Sequence, residues 1–474
     1  MEKIKVASLF CGCGGMDLGV IGDFTYLGKE YCENPFEIVY SVDNDEYCTK
    51  IYNDNFNHKC IVKDVRDINI DDIPQFDMLI GGFPCQSFSI SAQNPPRLGY
   101  KDERGMLFFE MVKILKARRP RFFIAENVKG ILSANKGQAF PMIIKEFSDA
   151  GYTVIHKLLN SSEYGVPQKR ERVIIIGFRE VEDFHKFHYP AKVKHSERKV
   201  LSDVIDEESD RDENLFFSDK AVAGMLAVRE KMNKGRAMSL TEPCNTISAH
   251  LAKVSLNSTD PVFMVGDRYR RFSTREAARI QSFPDDFKLG SVSQIRQYKA
   301  IGNAVPPVLM WHIVHALQKV LTVHQVNFQT IKEQYPNSIV ENPKSVDCLY
   351  LEHNIDIEKN VLISLVKADN IEQYLDRSAK VYYTGKRFPS TVALNKLYYF
   401  MPYVKHKGIR DLYLIKMARV GTKKEVHPEC DDTDFRLVFE IDYICQLFDE
   451  YKPIHLDIWQ TFTDTTMKSL IIKG

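Results

Sequence analysis

A single cysteine in a small, polar turn is the residue of this chain best suited to nucleophilic chemistry. Cys85 lies in the run Gly-Gly-Phe-Pro-Cys-Gln-Ser-Phe-Ser, which follows the short apolar segment 77–80. Such a segment is typical of a buried strand, and the turn after a strand is where an α/β sheet presents its reactive groups. Because the neighbouring residues are small and polar, we expect an accessible thiol. On this run alone, a buried and inert cysteine is the alternative.

A glycine-rich turn after the first apolar run indicates a ligand that approaches the backbone closely. Residues 10–15 read Phe-Cys-Gly-Cys-Gly-Gly, without the full G-x-G-x-x-G spacing of a pyrophosphate site, which favours a smaller nucleoside ligand. Asp43, at the end of the second predicted strand, is placed to accept hydrogen bonds from ribose hydroxyls. Asp64 is placed to accept one from an adenine amino group. For each feature taken alone, a tight turn or a solvated loop acid is the alternative.

Charged residues at the ends of two further apolar runs complete a candidate site. Glu126 follows the run 122–125 and is a candidate for proton transfer at the same sheet edge as Cys85. Its alternative role is a helix N-cap or first-turn acid. Arg170 and Arg172 enter another apolar run two residues apart, so their side chains point the same way. This pair suggests an anionic or carbonyl-rich substrate.

The elements that must position these residues alternate along the first half of the chain. Buried strands are predicted for the apolar runs at 4–10, 38–42, 78–80, 122–125 and 173–177. Apolar residues recur at helical spacing in 107–115 and 140–147, and helical patterns return at 275–282 and 307–321. This alternation predicts an α/β fold with an open, mostly parallel sheet and helices on both faces.

Composition sets ordinary limits on the class of protein. The chain has 474 residues, 44% hydrophobic and 27% charged, with a formal net charge of +1, which excludes a globally basic nucleic-acid coat. Its ten cysteines include no C-x-x-C pair, so neither a zinc framework nor a secreted disulfide pattern is predicted. No apolar stretch approaches the ~20 residues of a membrane span, and no signal-peptide layout is present. We therefore expect a cytoplasmic protein without a metal site.

Five motifs, in order, resemble those of the DNA (cytosine-5) methyltransferases of prokaryotic restriction-modification systems. They are Phe-x-Gly-x-Gly-Gly, Gly-Phe-Pro-Cys-Gln-Ser-Phe-Ser, Glu-Asn-Val, Gln-x-Arg-x-Arg and Gly-Asn-x-Val, and the resemblance spans about residues 4–320. Residues 271–287 resemble the penultimate motif of the family, and residues 300–306 resemble the last, which packs back onto the catalytic sheet. The resemblance implies the class I S-adenosylmethionine-dependent methyltransferase fold. The domains expected are a catalytic domain at 1–179, a small target-recognition domain at 180–290, a segment completing the catalytic domain at 291–324, and an additional α+β module at 325–474.

The resemblance implies methyl transfer from S-adenosylmethionine to carbon 5 of cytosine in a specific double-stranded DNA sequence. Cys85 would form a covalent adduct with a flipped-out base, Glu126 would hydrogen-bond ring nitrogen 3, and Arg172, beside Arg170, would hold the exocyclic oxygen. The residues expected to bind the cofactor are Phe10, Gly12, Gly14, Gly15, Asp43, Asp64, Val65, Pro84, Asn303 and Val305, with Phe10 near the adenine. The residues expected to contact DNA are Gln86, Ser89, Ser91, Arg97, Arg104, Gln168 and Thr246, of which those in 89–104 resemble the loop that closes over the base.

Other functions of the same core fit the sequence less well. A tRNA cytosine-5 methyltransferase would carry a Cys-Phe-Thr signature, which this chain lacks. A DNA-binding relative without activity would be expected to have lost Cys85 or Glu126, and both stand in intact motifs. Methylation of adenine N6 or cytosine N4 would require an Asp/Asn/Ser-Pro-Pro-Tyr/Phe motif, which is also missing. Double-stranded DNA is therefore the expected partner, with a cognate restriction endonuclease as a further candidate.

The module from residue 325 onward lies outside the resemblance. Its stretch 380–424 interleaves lysines and arginines with tyrosines, a composition suited to a DNA-contacting surface. It would then supply recognition that the short, partly acidic region at 180–267 lacks. Docking of a partner is a second interpretation. A fused nuclease with Asp411, Lys416 and Glu440 is a third, and a module with a second activity stays open.

Overall fold

The structure is a computed structural model. It describes residues 3–84, 106–232, 237–253, 260–322, 360–366, 375–384, 394, 397–404, 409–427, 430–432, 434–446 and 462–466. The chain divides into two compact units. The first comprises Met1–Ala139, His156–Ile176 and His188–Lys319, and the second comprises Phe140–Ile155, Gly177–Phe187 and Val320–Gly474.

The described part of residues 3–178 forms ten strands. They are β1 (Ile4–Leu9), β2 (Phe24–Tyr26), β3 (Lys29–Tyr31), β4 (Phe36–Asp43), β5 (Ile61–Val62), β6 (Met78–Gly82), β7 (Phe122–Val128), β8 (Thr153–Asn160), β9 (Gln168–Lys169) and β10 (Glu171–Phe178). Seven of them build one sheet in the order β5-β4-β1-β6-β7-β10-β8. The pairs β1–β4, β1–β6, β4–β5 and β6–β7 are parallel, which confirms the predicted open, mostly parallel sheet.

Nine helices accompany these strands in the described part of residues 3–322. They are α1 (Gly15–Ile21), α2 (Glu46–Asn55), α3 (Met106–Arg118), α4 (Ala139–Asp149), α5 (Val181–Lys186), α6 (Asp219–Met232), α7 (Thr274–Ile280), α8 (Gln294–Asn303) and α9 (Pro307–Thr322). Local sequence explains several of their starts. Asp45 caps α2 by accepting hydrogen bonds from the backbone N–H groups of Tyr47 and Cys48, and Ser273 and Glu276 form a capping box on α7.

The strands predicted from apolar runs are present, with shifted ends. The run at 4–10 ends as a strand at Leu9, because Phe10 adopts a left-handed conformation with φ 55° that an extended strand does not contain. The run at 38–42 becomes the longer strand β4, and that at 78–80 extends through Gly82. Neither β8 nor the β2–β3 hairpin was predicted, since their apolar residues are interrupted by polar ones.

The region after β10 is small and built from short elements. Strand β11 (Cys244–Asn245) pairs in parallel with β9, and β12 (Phe263–Val265) forms a hairpin with β13 (Arg268–Arg270). A fully buried ion pair, with Arg270 Nη2 2.7 Å from Glu276 Oε1, joins this hairpin to α7. Among the described residues one stretch, Gln294–Leu321, is long and apolar enough to cross a membrane, but most of it is buried in the protein. It spans α8 and α9 and the break between them, as expected for core helices.

The second unit contains a separate sheet. Its strands are β14 (Asn360–Val366), β15 (Leu375–Asp376), β16 (Val381–Tyr383), β17 (Leu397–Val404), β18 (Asp411–Gly421), β19 (Arg436–Gln446) and β20 (Phe462–Thr466), with the short helix α10 (Lys423–Val426). Their order is β15-β16-β19-β18-β17-β14-β20. Within the same unit, Lys145 Nζ lies 3.2 Å from Glu425 Oε1, and the ring of His185 stacks on Tyr398 at 4.0 Å. The module is therefore anchored to segments of α4 and α5.

Candidate active site

The predicted site residues meet because neighbouring strands end at the same edge of the first sheet. Leu9 pairs with Val42 and Gly81, Gly81 pairs with Ala125, and Asp43 pairs with Val62. Asp43 is itself one of these paired residues, and the glycine turn begins directly after Leu9. Asp64, Pro84 and Glu126 each follow one of the paired residues within a few positions. Ligands of open α/β sheets bind outside the carboxyl ends of their strands. This register therefore assembles a single site from segments far apart in sequence.

The glycine turn brings the start of α1 against the last motif. Gly14, before the helix, has φ 91°, a conformation that favours glycine. A Cβ on Gly15 would lie only 2.4 Å from the carbonyl oxygen of Val305, and one on Gly19 would lie 2.5 Å from that of Pro307. The last motif thus packs directly on the turn. Val305 is buried there, whereas Asn303 is exposed and available to a ligand.

Asp43 lies at the end of β4, beside the glycine turn. Its Oδ2 accepts a hydrogen bond of 2.8 Å from the backbone N–H of Gly12, and its Oδ1 accepts one of 2.8 Å from that of Asp45. Burial raises the pKa of Asp43, and these two amide hydrogen bonds oppose the rise. The carboxylate is therefore fixed in orientation. Each of its oxygens has a second lone pair with which to accept a hydrogen bond from a ligand.

Asp64 precedes the buried Val65 at the start of a short turn. Its carboxylate receives Arg66 in a two-fold contact, with Nε 3.0 Å from Oδ1 and Nη2 2.9 Å from Oδ2. The hydrogen bond from Arg66 lowers the pKa of Asp64. The carboxylate that we predict to accept from an adenine amino group is thus engaged by a partly exposed arginine side chain.

Glu126 and Arg172 form a buried ion pair beside Gly82, two residues before Pro84. Arg172 Nε lies 2.8 Å from Glu126 Oε1, and a Cβ on the neighbouring Gly82 would lie 3.2 Å from Glu126 Oε2. The absence of a side chain at Gly82 therefore leaves room for the carboxylate. Burial lowers the pKa of Arg172, and Glu126 opposes that change. The two side chains therefore lie side by side in a site that is largely closed to solvent.

Asn127, the middle residue of the Glu-Asn-Val motif, is a positioning residue whose role the sequence does not indicate. Its Nδ2 donates a hydrogen bond of 3.0 Å to the backbone oxygen of Phe83, and the side chain is buried. This bond ties the end of β7 to the segment that leads into Pro84 and Cys85. Cys85, Gln86, Ser89, Ser91, Arg97 and Arg104 lie outside the described residues.

A buried polar network connects three of the motifs. Gln168 is fully buried; its amide nitrogen donates to Gln281 Oε1, and its oxygen accepts from the backbone N–H of Ile247 at 3.0 Å. Gln281 in turn donates to the backbone oxygens of Ile301 at 2.9 Å and Ala304 at 2.6 Å. Gln168 therefore has a structural role in this conformation. The DNA contact predicted for it does not agree with its burial.

Two further residues predicted for the site, Arg170 and Thr246, lie beside this network. Arg170 is buried, and its Nη1 donates a hydrogen bond of 3.2 Å to the backbone oxygen of Ile247. Burial lowers the pKa of Arg170 well below its ordinary value, and the positive charge of Arg172 adds to the effect. Thr246 donates its hydroxyl to the backbone oxygen of Lys169 at 2.9 Å. This threonine is half-buried at the seam between β9 and β11.

A scan against protein-family models decides which family this site represents. The model described as C-5 cytosine-specific DNA methylase matches residues 4–319, which includes all of the motifs above. The chain belongs to this family. As a C-5 cytosine-specific DNA methylase, it transfers a methyl group to carbon 5 of cytosine in DNA, with S-adenosylmethionine as its cofactor. The family and the fold predicted from the sequence are thereby confirmed.

Individual relatives of this DNA methylase agree with the assignment. It is 37% identical over 343 residues to the Type II methyltransferase M.FnuDI of Fusobacterium nucleatum, a match that covers 67% of this chain and 95% of that protein. It is 34% identical over 318 residues to M.HaeII of Haemophilus aegyptius, covering 64% and 90% of the two chains. Each match leaves about a third of this chain uncovered, and the family model ends at residue 319.

Solved structures show the same fold at lower sequence identity. The Entamoeba histolytica methyltransferase EhMeth matches with a TM-score of 0.53 and 16% identity, covering 68% of this chain and all of that one. The S. pombe Dnmt2 methyltransferase matches with a TM-score of 0.52 and 19% identity over the same shares. At these identities the likeness concerns the fold alone.

The residues around the glycine turn of the DNA methylase fit an adenosyl group. A Cβ built on Gly12 meets no atom within 4 Å, so open space lies beside the turn. Phe10 is half-buried next to this space, and the Asp43 carboxylate is held against the Gly12 amide. An aromatic ring, a fixed acceptor and free backbone surface are the groups that an adenosine needs.

Proposed function

We propose that the protein methylates cytosine within a specific double-stranded DNA sequence, through a covalent adduct between Cys85 and a flipped-out base. The observation that carries this proposal is the Glu126–Arg172 ion pair beside the Phe83-Pro84 segment. This arrangement offers a carboxylate and a guanidinium to one edge of a pyrimidine. A thiol that follows Pro84 would approach the same ring.

The proposed reaction uses each residue for a separate purpose. The Cys85 thiolate adds to carbon 6, which turns carbon 5 into an enamine-like carbon that can accept a methyl group. Glu126 shares a proton with ring nitrogen 3 and so stabilises the adduct, while Arg172 donates hydrogen bonds to the exocyclic oxygen. Loss of the carbon-5 proton and departure of the thiolate then release 5-methylcytosine. Because carbon 6 is shielded in a stacked duplex, the base is first flipped out at a cost of a few kcal/mol.

S-adenosylmethionine supplies the methyl group. In this proposal the residues around its adenosine are Phe10, Gly12, Gly14, Gly15, Asp43, Asp64, Val65, Pro84, Asn303 and Val305. Asp43 accepts hydrogen bonds from the ribose, and the packing of the last motif on α1 keeps Asn303 and Val305 at the same site. The fixed orientation of the Asp43 carboxylate supports this assignment, because it reduces the entropy lost on binding.

Two finer features of the function extend the proposal. The relatives named Type II methyltransferases support a role in a restriction-modification system, with a cognate endonuclease that acts on the same sequence in the cytoplasm. DNA contacts are proposed for Gln86, Ser89, Ser91, Arg97 and Arg104, and for Thr246 at the β9–β11 seam. Gln168 supports these contacts by holding the backbone at Ile247 rather than by reaching DNA itself.

Bisulfite sequencing of DNA from a host that expresses the protein tests the proposed function. We expect methylated cytosines at every copy of one short sequence, and none in a host that expresses Cys85→Ala. Bisulfite sequencing of tRNA from the same cells is the parallel measurement. Methylation confined to tRNA, or scattered over DNA without a common sequence, would contradict the proposal.

A further inference from the structure

A basic pocket in the second unit has no role in the methyl-transfer chemistry. It has a volume of about 530 Å³ and is formed by β18, β19 and the turn at 376–380, a size within the range of small-molecule sites. Its walls include Arg377, Lys380, Arg410, Asp411 and Tyr443. All of these residues lie beyond residue 319, where the match to the family model ends.

The charges of the pocket are arranged so that cations outnumber the carboxylates that orient them. Asp411 is buried and lies 3.2 Å from Arg410 Nε and 3.4 Å from Arg377 Nη2. Asp442 lies 3.0 Å from Lys380 Nζ and 2.6 Å from Lys416 Nζ. Among the described side chains that line the pocket, the cations Arg377, Lys380 and Arg410 outnumber the carboxylates Asp411 and Asp442. The pocket therefore attracts an anion.

The turn at 376–380, which carries Arg377 and Lys380, is held in place by the side chain of Asp376. The Asp376 Oδ1 accepts hydrogen bonds from the backbone N–H groups of Ser378 at 2.9 Å and Ala379 at 2.8 Å. Its Oδ2 lies 3.0 Å from His427 Nε2. These contacts fix the backbone between Arg377 and Lys380, so the two cations are presented in a defined geometry.

An exposed aromatic residue lies beside these cations. Tyr443 is 57% exposed, and its ring meets that of Tyr413 edge-on at 5.5 Å. Tyr413 is buried and its hydroxyl accepts a hydrogen bond of 3.3 Å from Arg377 Nε. A supported aromatic ring next to oriented cations provides both stacking for a base and charge for a phosphate. An inorganic anion would make no use of the ring.

The three residues of the nuclease interpretation belong to different ion pairs of this module. Lys416 pairs with Asp442, Glu440 pairs with Arg419 Nε at 3.2 Å, and Asp411 serves the two arginines. The three residues of the proposed carboxylate–lysine pattern thus make separate contacts. Within the described residues no group of three or more His, Cys, Asp or Glu side chains is placed to hold a metal ion.

We propose that this pocket binds one unpaired nucleotide of DNA, with the base stacked on Tyr443 and the phosphate between Arg377 and Lys380. The proposal rests on the proposed function only in taking DNA as the ligand. It gives the module a nucleotide site of its own, in addition to any diffuse attraction between its basic residues and the duplex.

Fluorescence anisotropy with the full-length protein tests the pocket. The probes are a short fluorescein-labelled single-stranded oligonucleotide and the duplex of the same sequence. Tyr443→Ala should weaken binding of the single strand roughly tenfold, since stacking of one base is lost, and Tyr443→Phe should restore it. Lys380→Ala should weaken binding and reduce the slope of log affinity against log salt concentration by about 1. Asp442 still pairs with Lys416 in this variant, so its carboxylate keeps a partner.

Lys424→Ala is the matched control, because it removes one exposed cation of α10 outside the pocket. Circular dichroism and cofactor affinity establish that every variant is folded. Equal effects of Lys380→Ala and Lys424→Ala, or unchanged binding by Tyr443→Ala, overturn the proposal. So does displacement of the oligonucleotide by inorganic phosphate as effectively as by a deoxynucleoside monophosphate. Methyl transfer is assayed separately, so a protein without that activity contradicts the proposed function and leaves the binding result intact.

Discussion

The guanidinium of Arg172 and the carboxylate of Glu126 form a pair that is closed to most solvent, with Nε 2.8 Å from Oε1 and both side chains 11% exposed. Arg172 also donates from Nη1 to the backbone oxygen of Glu171 at 2.8 Å, so its position is fixed at two points. Breaking such a buried pair leaves an uncompensated charge. We therefore expect the site to be sensitive to substitution of either residue.

Glu126→Gln should slow methyl transfer by roughly 10²–10⁴-fold, the usual contribution of a positioned acid or base. Cofactor affinity, measured by calorimetry, should change little, because Glu126 lies at the end of β7 rather than at the glycine turn. Glu171→Gln is the control, since Glu171 is half-buried outside the site and pairs with Lys129. Weakened cofactor binding with an unchanged rate would mean that the two sites are assigned the wrong way round.

Cys85→Ala should abolish methyl transfer and leave S-adenosylmethionine binding nearly unchanged. A duplex that contains 5-fluorocytosine should trap the wild-type protein covalently, because fluorine cannot leave as the proton does. A denaturing gel of the protein–DNA adduct gives the measurement. Cys32→Ala removes an exposed free thiol and should trap normally. Methylation by the Cys85→Ala variant would rule out the covalent mechanism.

Asp43→Ala should weaken cofactor binding by about 1.5–3 kcal/mol, the contribution of a hydrogen bond to a charged acceptor. Asp43→Asn should have a smaller effect, since its amide oxygen can still accept from the Gly12 backbone N–H. Calorimetry measures both affinities, and the methylation rate at saturating cofactor serves as the second readout. A rate that falls while affinity is retained would assign Asp43 to the chemical step.

Gly15→Ala should displace the last motif, because its Cβ would lie 2.4 Å from the Val305 carbonyl oxygen. We expect the free energy of unfolding to fall by about 1–3 kcal/mol, together with cofactor affinity. Gly290→Ala is the control, since a Cβ at that position meets no atom within 4 Å. Denaturant unfolding and calorimetry measure the two effects. Wild-type values for Gly15→Ala would show that α1 and the last motif do not pack as described.

Asp17 should make stability depend on pH. It is fully buried, accepts hydrogen bonds from the hydroxyls of Ser8 at 3.0 Å and Tyr52 at 3.2 Å, and burial raises its pKa to about 7. The folded state therefore holds a proton that the unfolded state releases near the ordinary aspartate pKa of 3.8. Its contribution to stability is full below about pH 4 and is lost as pH rises to about 7, by about 1.4 kcal/mol per pH unit.

Asp17→Asn removes this titration. The difference in unfolding free energy between the variant and the wild type should therefore grow in favour of the variant from pH 5 to about pH 7 and then become constant. Urea unfolding across this range measures it. A difference that does not vary with pH would show that Asp17 titrates at its ordinary pKa in the folded protein.

The sequence by itself determined the family, the strand–helix alternation and the edge of the sheet that carries the chemistry. Continuous apolar runs are typical of buried parallel strands. Residues at the carboxyl ends of such strands lie at the same edge of the sheet, independently of the conformation of the loops between them. This is why Glu126, Arg172 and Asp43 could be named before their distances were known. Strand ends were less predictable, because a single left-handed residue such as Phe10 or an extra residue such as Gly82 leaves the apolar pattern unchanged.

Only the tertiary structure decided which polar residues support the site from within. Glutamine is usually a surface residue, so the sequence does not indicate that Gln168 and Gln281 are buried. Packing excludes both from water and brings them into contact with the backbone of Ile247, Ile301 and Ala304. Asn127 belongs to a motif, yet its bond to the Phe83 carbonyl depends on the register of β6 with β7. The pocket around Tyr443 likewise depends on pairing of β18 with β19. Contacts between residues distant in sequence are fixed by such pairing and packing, which no local pattern encodes.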